Sequence, residues 1–188
     1  MRPDRLTTKS QEALREGVDL ASRRGNPELA PEHVLLAMLG QDGGLARPLV
    51  QKAGGDVSAL EVALTKRIDG LPRVSGGGEP GLSRRTSSML QKAEDEAKAL
   101  KDDFVSIEHF VIALAKNDRE VQGALEACGG VTYDKLLTAM AAVRGSQRVT
   151  DKDPEGKFQA LEKYCRDLTE QARKGKSDPV VGRDEEIR

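Results

Sequence analysis

Two Glu-His pairs are the residues of this chain with the most evident capacity for chemistry. Glu32-His33 and Glu108-His109 contain both histidines of the sequence, and an apolar run follows each pair. Adjacent carboxylate and imidazole groups are suited to metal binding or to proton transfer. The two histidines are 76 residues apart (109 − 33). The spacing raises the question whether a site was built twice or a longer segment was duplicated.

The same offset of 76 residues extends far beyond the Glu-His pairs. It relates Leu6 to Leu82, Thr7 to Ser83, Leu14 to Leu90, Ala21 to Ala97, Leu36 to Ile112, Leu49 to Leu125, Gly54 to Gly130 and Leu60 to Leu136. An ungapped register that keeps residue chemistry over this length indicates duplication. The sequence therefore predicts two copies of one unit, repeat one over residues 6–70 and repeat two over residues 82–144, with a connector over residues 71–81.

Each repeat is predicted to form four helices. In repeat one, Thr7 can cap the first helix, and Leu14, Val18 and Ala21 fall on one face at helical spacing. Repeat two keeps this pattern, including a Gly-Gly pair after the third helix. The predicted fold is therefore all-α, a pseudo-twofold arrangement of about eight helices over residues 1–144.

A helical position explains the Glu-His pairs without a catalytic site. Glu32 and Glu108 fall in the first turn of a helix, where a carboxylate faces the positive end of the helix dipole. His33 and His109 follow directly, and the chain has no HExxH motif. Histidines at such positions usually cap or pack rather than bind a metal. We therefore predict no catalytic residue and no metal site.

Composition narrows the possible partners and compartments. The chain has 30 Lys+Arg and 31 Asp+Glu, a net charge of -1, so bulk charge favours neither nucleic acid nor an anionic membrane. No apolar run approaches the roughly 20 residues that span a bilayer. Its two cysteines, Cys128 and Cys165, are too few and too far apart for a disulfide framework or a CxxC metal site. These features favour a cytoplasmic protein without nucleic-acid or membrane partners.

Two glycine-containing segments resemble phosphate loops but lack the required residues. The connector contains Gly76 and Gly81, which are followed by Leu82 and Ser83 rather than by Lys and Ser/Thr. The segment "GKS" at residues 175–177 has Glu170 where the motif needs its first glycine. The sequence therefore predicts no Walker A motif within the chain.

The character of the chain changes after residue 144. Residues 145–156 are polar and rich in helix breakers, which predicts a flexible linker. One further amphipathic helix is then predicted, with its apolar stripe formed by Leu161, Cys165, Leu168 and Ala172. We interpret residues 157–188 as the start of a second, truncated module.

Taken together, the residues resemble the amino-terminal region of the Clp-family AAA+ disaggregase chaperones. The resemblance rests on the double repeat, on "MRPDRLTTKSQEAL" at the start and on "ALEKYCRDLTEQARKGKSDPVVGRDEEIR" at the end, and it covers essentially the whole chain. It implies that residues 157–188 open the first nucleotide-binding module. In the full-length protein Asp178, Pro179, Val180, Val181 and Gly182 would then lie beside the nucleotide. ATP and Mg would be cofactors of the full-length protein only, and this chain alone should lack ATPase activity.

The resemblance also implies a function in the stress response. The domain would bind unfolded or aggregated polypeptide and pass it to an ATPase ring, a homohexamer that works with a DnaK-type chaperone system. The chain alone is expected to be a monomer. Thr7, Asp102 and Glu108 match family positions associated with substrate binding, whereas Lys92 stands where some relatives carry an apolar residue near that surface.

Other interpretations remain open at this point. An adaptor-docking domain of a protease-linked Clp ATPase would bind one folded partner tightly instead of many unfolded chains weakly. An independent enzyme is disfavoured, because no nucleophile with a base, metal cluster or phosphate loop occurs at a usable spacing. The nominated residues also have structural explanations: Thr7 as a helix cap, Asp102 as a turn former and Glu108 as a partner of the helix dipole.

Overall fold

The computed structural model describes residues 3–75, 78–145 and 147–154, and these residues are mainly helical. The helices are α1 (Thr8–Arg24), α2 (Pro31–Gly40), α3 (Ala46–Lys52), α4 (Val57–Asp69), α5 (Arg84–Ala99), α6 (Ile107–Asn117), α7 (Arg119–Ala127) and α8 (Tyr133–Arg144). A 3-10 turn (Pro3–Arg5) precedes α1, and two short strands, β1 (Glu28–Leu29) and β2 (Gly81–Leu82), form a small parallel sheet. The predicted all-α fold of about eight helices is confirmed.

The predicted helix bearing Leu161, Cys165, Leu168 and Ala172 lies outside the described residues. The same holds for the predicted nucleotide-adjacent residues 178–182. Among the helices that the structure describes, none combines the length and apolar character needed to cross a membrane.

Corresponding helices begin at the offset that the sequence predicts. The starts of α5, α6 and α8 follow those of α1, α2 and α4 by 76 residues. The predicted cap at Thr7 is confirmed, because its Oγ1 accepts a hydrogen bond from the Ser10 amide at 3.3 Å. Ser83, the counterpart of Thr7, caps α5 in the same way through the Thr86 amide at 3.0 Å. Side-chain caps of this kind satisfy amides that a helix start leaves unpaired.

The two repeats exchange short extended segments. In the small sheet Leu29 of repeat one lies opposite Leu82 at the start of repeat two. Leu6 forms a parallel bridge with Val105. Since the offset relates Leu6 to Leu82 and Leu29 to Val105, the two pairings are pseudo-twofold images of each other. Each repeat therefore pairs its entry segment with the loop between the first two helices of the other repeat.

Both repeats contribute to one core. Helix α3 packs against α8 and α4 against α7, which are again pseudo-twofold equivalents. The largest fully buried side chains come from both repeats: Leu29, Leu35, Met38, Leu39, Leu49, Leu60, Leu64, Ile68, Ile107, Phe110, Ile112 and Leu114. Where the glycine stops of the repeats meet, Gly129 has φ +136, and a Cβ there would lie 2.5 Å from the Gly54 carbonyl oxygen. Only glycine fits this approach of two backbones.

The chain after α8 folds back onto repeat two instead of leaving the domain at once. The Val149 carbonyl accepts hydrogen bonds from the amides of Asp103 at 2.9 Å and Phe104 at 3.4 Å, and the Val149 side chain is fully buried. The Lys152 carbonyl accepts one from the Thr8 amide at 2.8 Å. We call residues 147–152 the strap. The predicted linker over residues 145–156 thus begins with a docked segment, and its flexibility in solution stays a prediction.

Candidate functional site

The three residues nominated from the sequence lie around Val105. The amide of Thr7 donates to the Val105 carbonyl at 3.1 Å. Asp102 precedes Val105 in the loop before α6, and Glu108 follows it in the first turn of α6. Thr7, Asp102 and Glu108 are 0%, 4% and 2% exposed. The structure thus brings the three together, but as buried groups that already have structural roles.

Asp102 is the centre of this site. Its carboxylate accepts hydrogen bonds from His109 Nε2 at 2.9 Å, from Arg144 Nη2 at 2.7 Å and from the Val149 amide at 2.8 Å. Burial alone raises the pKa of Asp102, but the hydrogen bonds from His109, Val149 and Arg144 outweigh it and hold the pKa below its usual range. The carboxylate is therefore ionised at neutral pH, and it holds a strap amide directly.

Arg144, the last residue of α8, links Asp102 to Glu108. Its Nη1 lies 3.4 Å from Glu108 Oε1, and its Nε donates to the Gln147 carbonyl at 2.5 Å. The other carboxylate oxygen of Glu108, Oε2, is buried with no hydrogen-bond partner among the described residues. Two buried carboxylates thus share one guanidinium. Sequence reasoning missed Arg144, because a basic residue at the end of a helix is ordinarily a solvated partner of the helix dipole.

The Glu-His pairs have a structural explanation, as the helical interpretation predicted. His109 Nδ1 accepts a hydrogen bond from the Ser106 amide at 2.9 Å, and His33 Nδ1 accepts one from the Ala30 amide at 3.0 Å. A backbone N–H can only donate, so Nδ1 is unprotonated in both rings and Nε2 carries the hydrogen. Each histidine therefore caps its own helix as a neutral imidazole.

The second nitrogen of each ring is also engaged. His109 Nε2 donates to Asp102, and His33 Nε2 donates to Asn26 Oδ1 at 3.0 Å. Burial lowers the pKa of His33. With both nitrogens hydrogen-bonded, neither ring has a lone pair directed at a metal. The described part of the chain contains no cluster of three or more His, Cys, Asp or Glu residues that could hold a metal ion.

Repeat one holds its buried glutamate by a different cation. Arg85 donates to both oxygens of Glu32, at 2.8 and 3.2 Å, and to both oxygens of Asp118, at 2.6 and 3.0 Å. Burial would lower the pKa of Arg85, but its hydrogen bonds to Asp118 and Glu32 raise the pKa above its usual value. Complementary charges close this site, and among the described residues no backbone group of the connector is seen to hydrogen-bond to Glu32 or Asp118.

Several surface depressions of the described residues lie apart from the nominated residues. One, of about 410 Å³, lies between α1 and α2, with Leu20 and Leu36 in its lining and Glu16, Asp19 and Arg23 around them. A smaller one, of about 90 Å³, lies between α5 and α6 and includes Lys92. Lys92 is exposed and its Nζ lies 3.8 Å from Asp95 Oδ2.

Comparisons with known proteins agree with this architecture. Residues 5–128 match the family model of the Clp repeat (R) N-terminal domain. The chain is 43% identical over 187 residues to the chaperone protein ClpB of Rhodopirellula baltica, an alignment that covers 100% of this chain and 21% of that protein. It therefore spans about one fifth of the length of this relative.

Solved structures share the fold at lower identity. The Hsp104 N-terminal domain from Candida albicans superposes with a TM-score of 0.70 at 22% identity, covering 80% of this chain and 98% of that chain. The ClpV N-domain in its complex with a VipB peptide superposes with a TM-score of 0.55 at 19% identity, covering 73% and 86%. Because the family model matches more than half of its length, the chain belongs to the Clp repeat (R) N-terminal domain family, and it is similar over its whole length to ClpB chaperones.

Proposed function

We propose that this chain is the substrate-engaging amino-terminal domain of a ClpB-type disaggregase, and that its binding site for unfolded polypeptide is the surface around Asp102 and Val105. One observation carries the proposal: this surface holds an extended piece of the chain's own polypeptide, the strap. Asp102 accepts the Val149 amide, and the Asp103 and Phe104 amides donate to the Val149 carbonyl. Three residues further along, the Lys152 carbonyl accepts a hydrogen bond from the amide of Thr8.

These contacts suit a substrate without a fixed sequence. They are made to backbone groups of the strap, which every polypeptide offers at the same spacing. The buried side-chain contact of the strap is that of Val149, a small apolar residue that is 0% exposed, whereas the ion pair of Arg148 with Asp103 is exposed. A surface of this kind binds extended chains of many sequences, because backbone hydrogen bonds give affinity while a single apolar pocket gives little selectivity. Degenerate binding of this kind is what a disaggregase needs.

The nominated residues have separate parts in this proposal. Asp102 contacts the bound polypeptide through its carboxylate. Thr7 is a positioning residue, because its cap on α1 fixes the neighbouring Thr8 amide that points at the bound chain. Glu108 is a positioning residue as well, since it pairs with Arg144, and Arg144 orients the Asp102 carboxylate.

The fold comparison adds support of a coarser kind. A ClpV N-domain has been solved in complex with a VipB peptide, so a domain of the same fold binds a peptide. By extension from the ClpB relatives, we propose that the full-length protein is a cytoplasmic homohexamer that uses ATP and Mg. It would pass polypeptide from this domain into the ring and work with a DnaK-type chaperone system.

Adaptor docking is the second candidate function, and the depression between α1 and α2 favours it. That surface combines the apolar Leu20 and Leu36 with charged neighbours of both signs, Glu16, Asp19 and Arg23. Charged residues around an apolar centre are typical of a surface that selects one folded partner. The two candidates thus use different faces of the domain and can be separated by mutation.

A binding measurement on the 188-residue chain tests the proposal. Fluorescein-labelled α-lactalbumin, reduced and carboxymethylated so that it stays unfolded, is titrated with the chain and followed by anisotropy, with native α-lactalbumin as the folded control. We expect binding of the unfolded form only. Glu108→Gln should weaken binding severalfold, whereas Glu32→Gln, its counterpart in repeat one, should leave it unchanged. If both variants changed binding equally, at equal stability, the assignment of the site to the surface around Asp102 would be wrong.

In a full-length hexamer, the double variant Thr7→Ala/Glu108→Ala tests the role of the site in disaggregation. We expect slower reactivation of an aggregated substrate with nearly unchanged basal ATP hydrolysis, because the nucleotide sites belong to other domains. The melting temperature is measured in the same preparation. Unchanged reactivation at an unchanged melting temperature would return the nominated residues to purely structural roles.

A further inference from the structure

The strap occupies the groups that the proposed function assigns to substrate. Its Val149 amide donates a hydrogen bond to Asp102 Oδ1 at 2.8 Å, and its Lys152 carbonyl accepts one from the Thr8 amide at 2.8 Å. An added ion pair between Arg148 and Asp103, at 3.8 Å, is exposed on both sides. An extended substrate chain and the strap would need the same hydrogen-bonding partners, so both cannot be bound there at once.

Repeat one shows what a purely structural connector looks like at the corresponding place. There the Val74 amide donates to the Gly25 carbonyl at 2.8 Å, and Asn26 Nδ2 donates to the Pro72 carbonyl at 2.9 Å. This connector runs from α4 to β2, so the fold ties both of its ends. Its valine is 47% exposed, whereas Val149 is fully buried.

The strap therefore has a deeper anchor than the connector, and beyond Val149 it is held to the helices by a backbone hydrogen bond, from the Thr8 amide at the start of α1 to the Lys152 carbonyl. It follows α8 directly, and Arg144 contacts both the Asp102 carboxylate and the Gln147 carbonyl. Release of the strap would leave α8 and the core side chains in place, since Val149 is the strap residue that the core surface buries. Such a segment can exchange between docked and free states without unfolding the domain.

We infer that the strap is an internal occupant of the polypeptide site that competes with substrate, so that substrate binding releases it from the domain. The inference rests on the proposed function and adds its regulation. Six residues freed from the surface can span up to about 20 Å in any direction, since an extended chain spans roughly 3.3–3.6 Å per residue. Occupancy of the site would thereby lengthen the connection between this domain and the chain that follows it.

Competition of this kind has a defined signature. The apparent dissociation constant of substrate equals the intrinsic constant divided by the fraction of molecules with a free site. A strap that is docked in about nine molecules of ten would weaken substrate binding about tenfold. Releasing the strap by mutation should recover that factor without adding any contact to the substrate.

Hydrogen exchange on the unaltered 188-residue chain is the first test. The Val149 amide, which donates to Asp102, is followed with and without saturating reduced, carboxymethylated α-lactalbumin. We expect faster exchange at Val149 when the polypeptide is bound, while the Asp103 and Thr8 amides stay protected by the new occupant. Binding of the polypeptide with unchanged exchange at Val149 would overturn the inference and leave the proposed function in place.

A matched pair of variants provides the second test. Val149→Asp places a carboxylate in the apolar pocket next to Asp102 and should release the strap, whereas Thr150→Asp adds the same charge at an exposed strap position. We expect Val149→Asp to bind the labelled polypeptide about tenfold more tightly and Thr150→Asp to match the unaltered chain. Faster exchange at the strap amides confirms release in the first variant.

The outcomes separate the two proposals. Tighter binding by Val149→Asp supports both, including the case in which the unaltered chain shows no measurable binding. Equal affinity of Val149→Asp and Thr150→Asp, with the strap released in the first, overturns competition alone. Absence of binding by all three proteins overturns the proposed function, and the inference with it.

Discussion

The two repeats carry the same Glu-His pair but satisfy it with different partners. In repeat one, His33 donates to the neutral amide of Asn26, and Arg85 closes on Glu32 with two hydrogen bonds. In repeat two, His109 donates to an ionised carboxylate, that of Asp102. The histidine caps are alike because they belong to the duplicated helix start. The partners differ because the residues at corresponding positions differ, Asn26 against Asp102 in the loops before α2 and α6, and because the cations come from different helices, Arg85 from α5 and Arg144 from α8.

Asn26 and Asp102 occupy corresponding positions, but their side chains hydrogen-bond to opposite kinds of backbone group. Asn26 donates to a connector carbonyl, that of Pro72, whereas Asp102 accepts a strap amide, that of Val149. Asp102 also needs a cation, which Arg144 supplies from the end of α8. The two repeats thus share a scaffold, while a carboxylate in place of the amide gives repeat two an ionised acceptor for a backbone amide.

The largest expected effect comes from removing the cation that pairs with each buried glutamate. Arg144→Met leaves the carboxylates of Asp102 and Glu108 buried without a counter-charge, which typically costs about 3–5 kcal/mol. Arg85→Met should cost less, because the Arg85 side chain is 36% exposed against 7% for Arg144 and Asp118 is 11% exposed, so that Glu32 is the one fully buried carboxylate that loses its partner. Urea unfolding followed by circular dichroism measures both free energies. Equal losses of unfolding free energy would show that the greater burial of Arg144 does not make its ion pairs more important for stability.

Exchanging the amide of Asn26 and the carboxylate of Asp102 should have the next largest effect on stability. Asp102→Asn has a single acceptor oxygen in place of two, so a buried partner among His109, Arg144 and Val149 is left unsatisfied, at a cost of about 1–3 kcal/mol. Asn26→Asp places a carboxylate at a site that is 3% exposed, and it removes the donor to Pro72. We expect both single variants to be destabilised in urea unfolding. A neutral result for either exchange would show that the two sites are interchangeable.

The parts of this fold that sequence could predict are those encoded locally. Helix starts at Thr7 and Ser83 follow from cap chemistry, and the apolar spacing of Leu14, Val18 and Ala21 identifies the face of α1 that packs on the core. The duplication was visible because one register, held without gaps, relates residues of both repeats. Each of these signals needs only a few neighbouring residues or a constant offset.

The parts that sequence could not predict depend on contacts between distant residues. Arg144 lies 42 positions from Asp102, and nothing in its own neighbourhood distinguishes it from Arg148, which stays at the surface. The strap was predicted as a linker because its composition is polar, and a single buried valine decides its path. The exchanged pairing of Leu6 with Val105 is likewise a tertiary feature, since two-residue strands carry no detectable period.

A pH titration tests the His33 site, with a smaller expected effect. Burial lowers the pKa of His33 in the folded domain, so between that value and about 6.5, the unperturbed value, the unfolded chain binds more protons. Stability should therefore fall as pH drops below about 6.5. His33→Gln, which can still accept the N-cap amide, should flatten this part of the profile of unfolding free energy against pH. An unchanged slope would show that His33 does not titrate on unfolding.

The smallest expected difference in stability is the most informative about function. Thr7→Ala and Ser83→Ala remove corresponding caps from α1 and α5, both buried, and each should cost about 1 kcal/mol. The two variants should therefore melt alike. Only Thr7→Ala should weaken binding of unfolded α-lactalbumin, because the cap at Thr7 fixes the neighbouring Thr8 amide at the proposed site, and Ser83 has no such neighbour in the proposal. Thr7→Ser keeps the capping hydroxyl and should restore binding, which distinguishes the position of the amide from the loss of a methyl group. If Thr7→Ala and Ser83→Ala bound the polypeptide equally well at equal stability, the Thr8 amide would make no contribution to the proposed site, and Thr7 would have a structural role only.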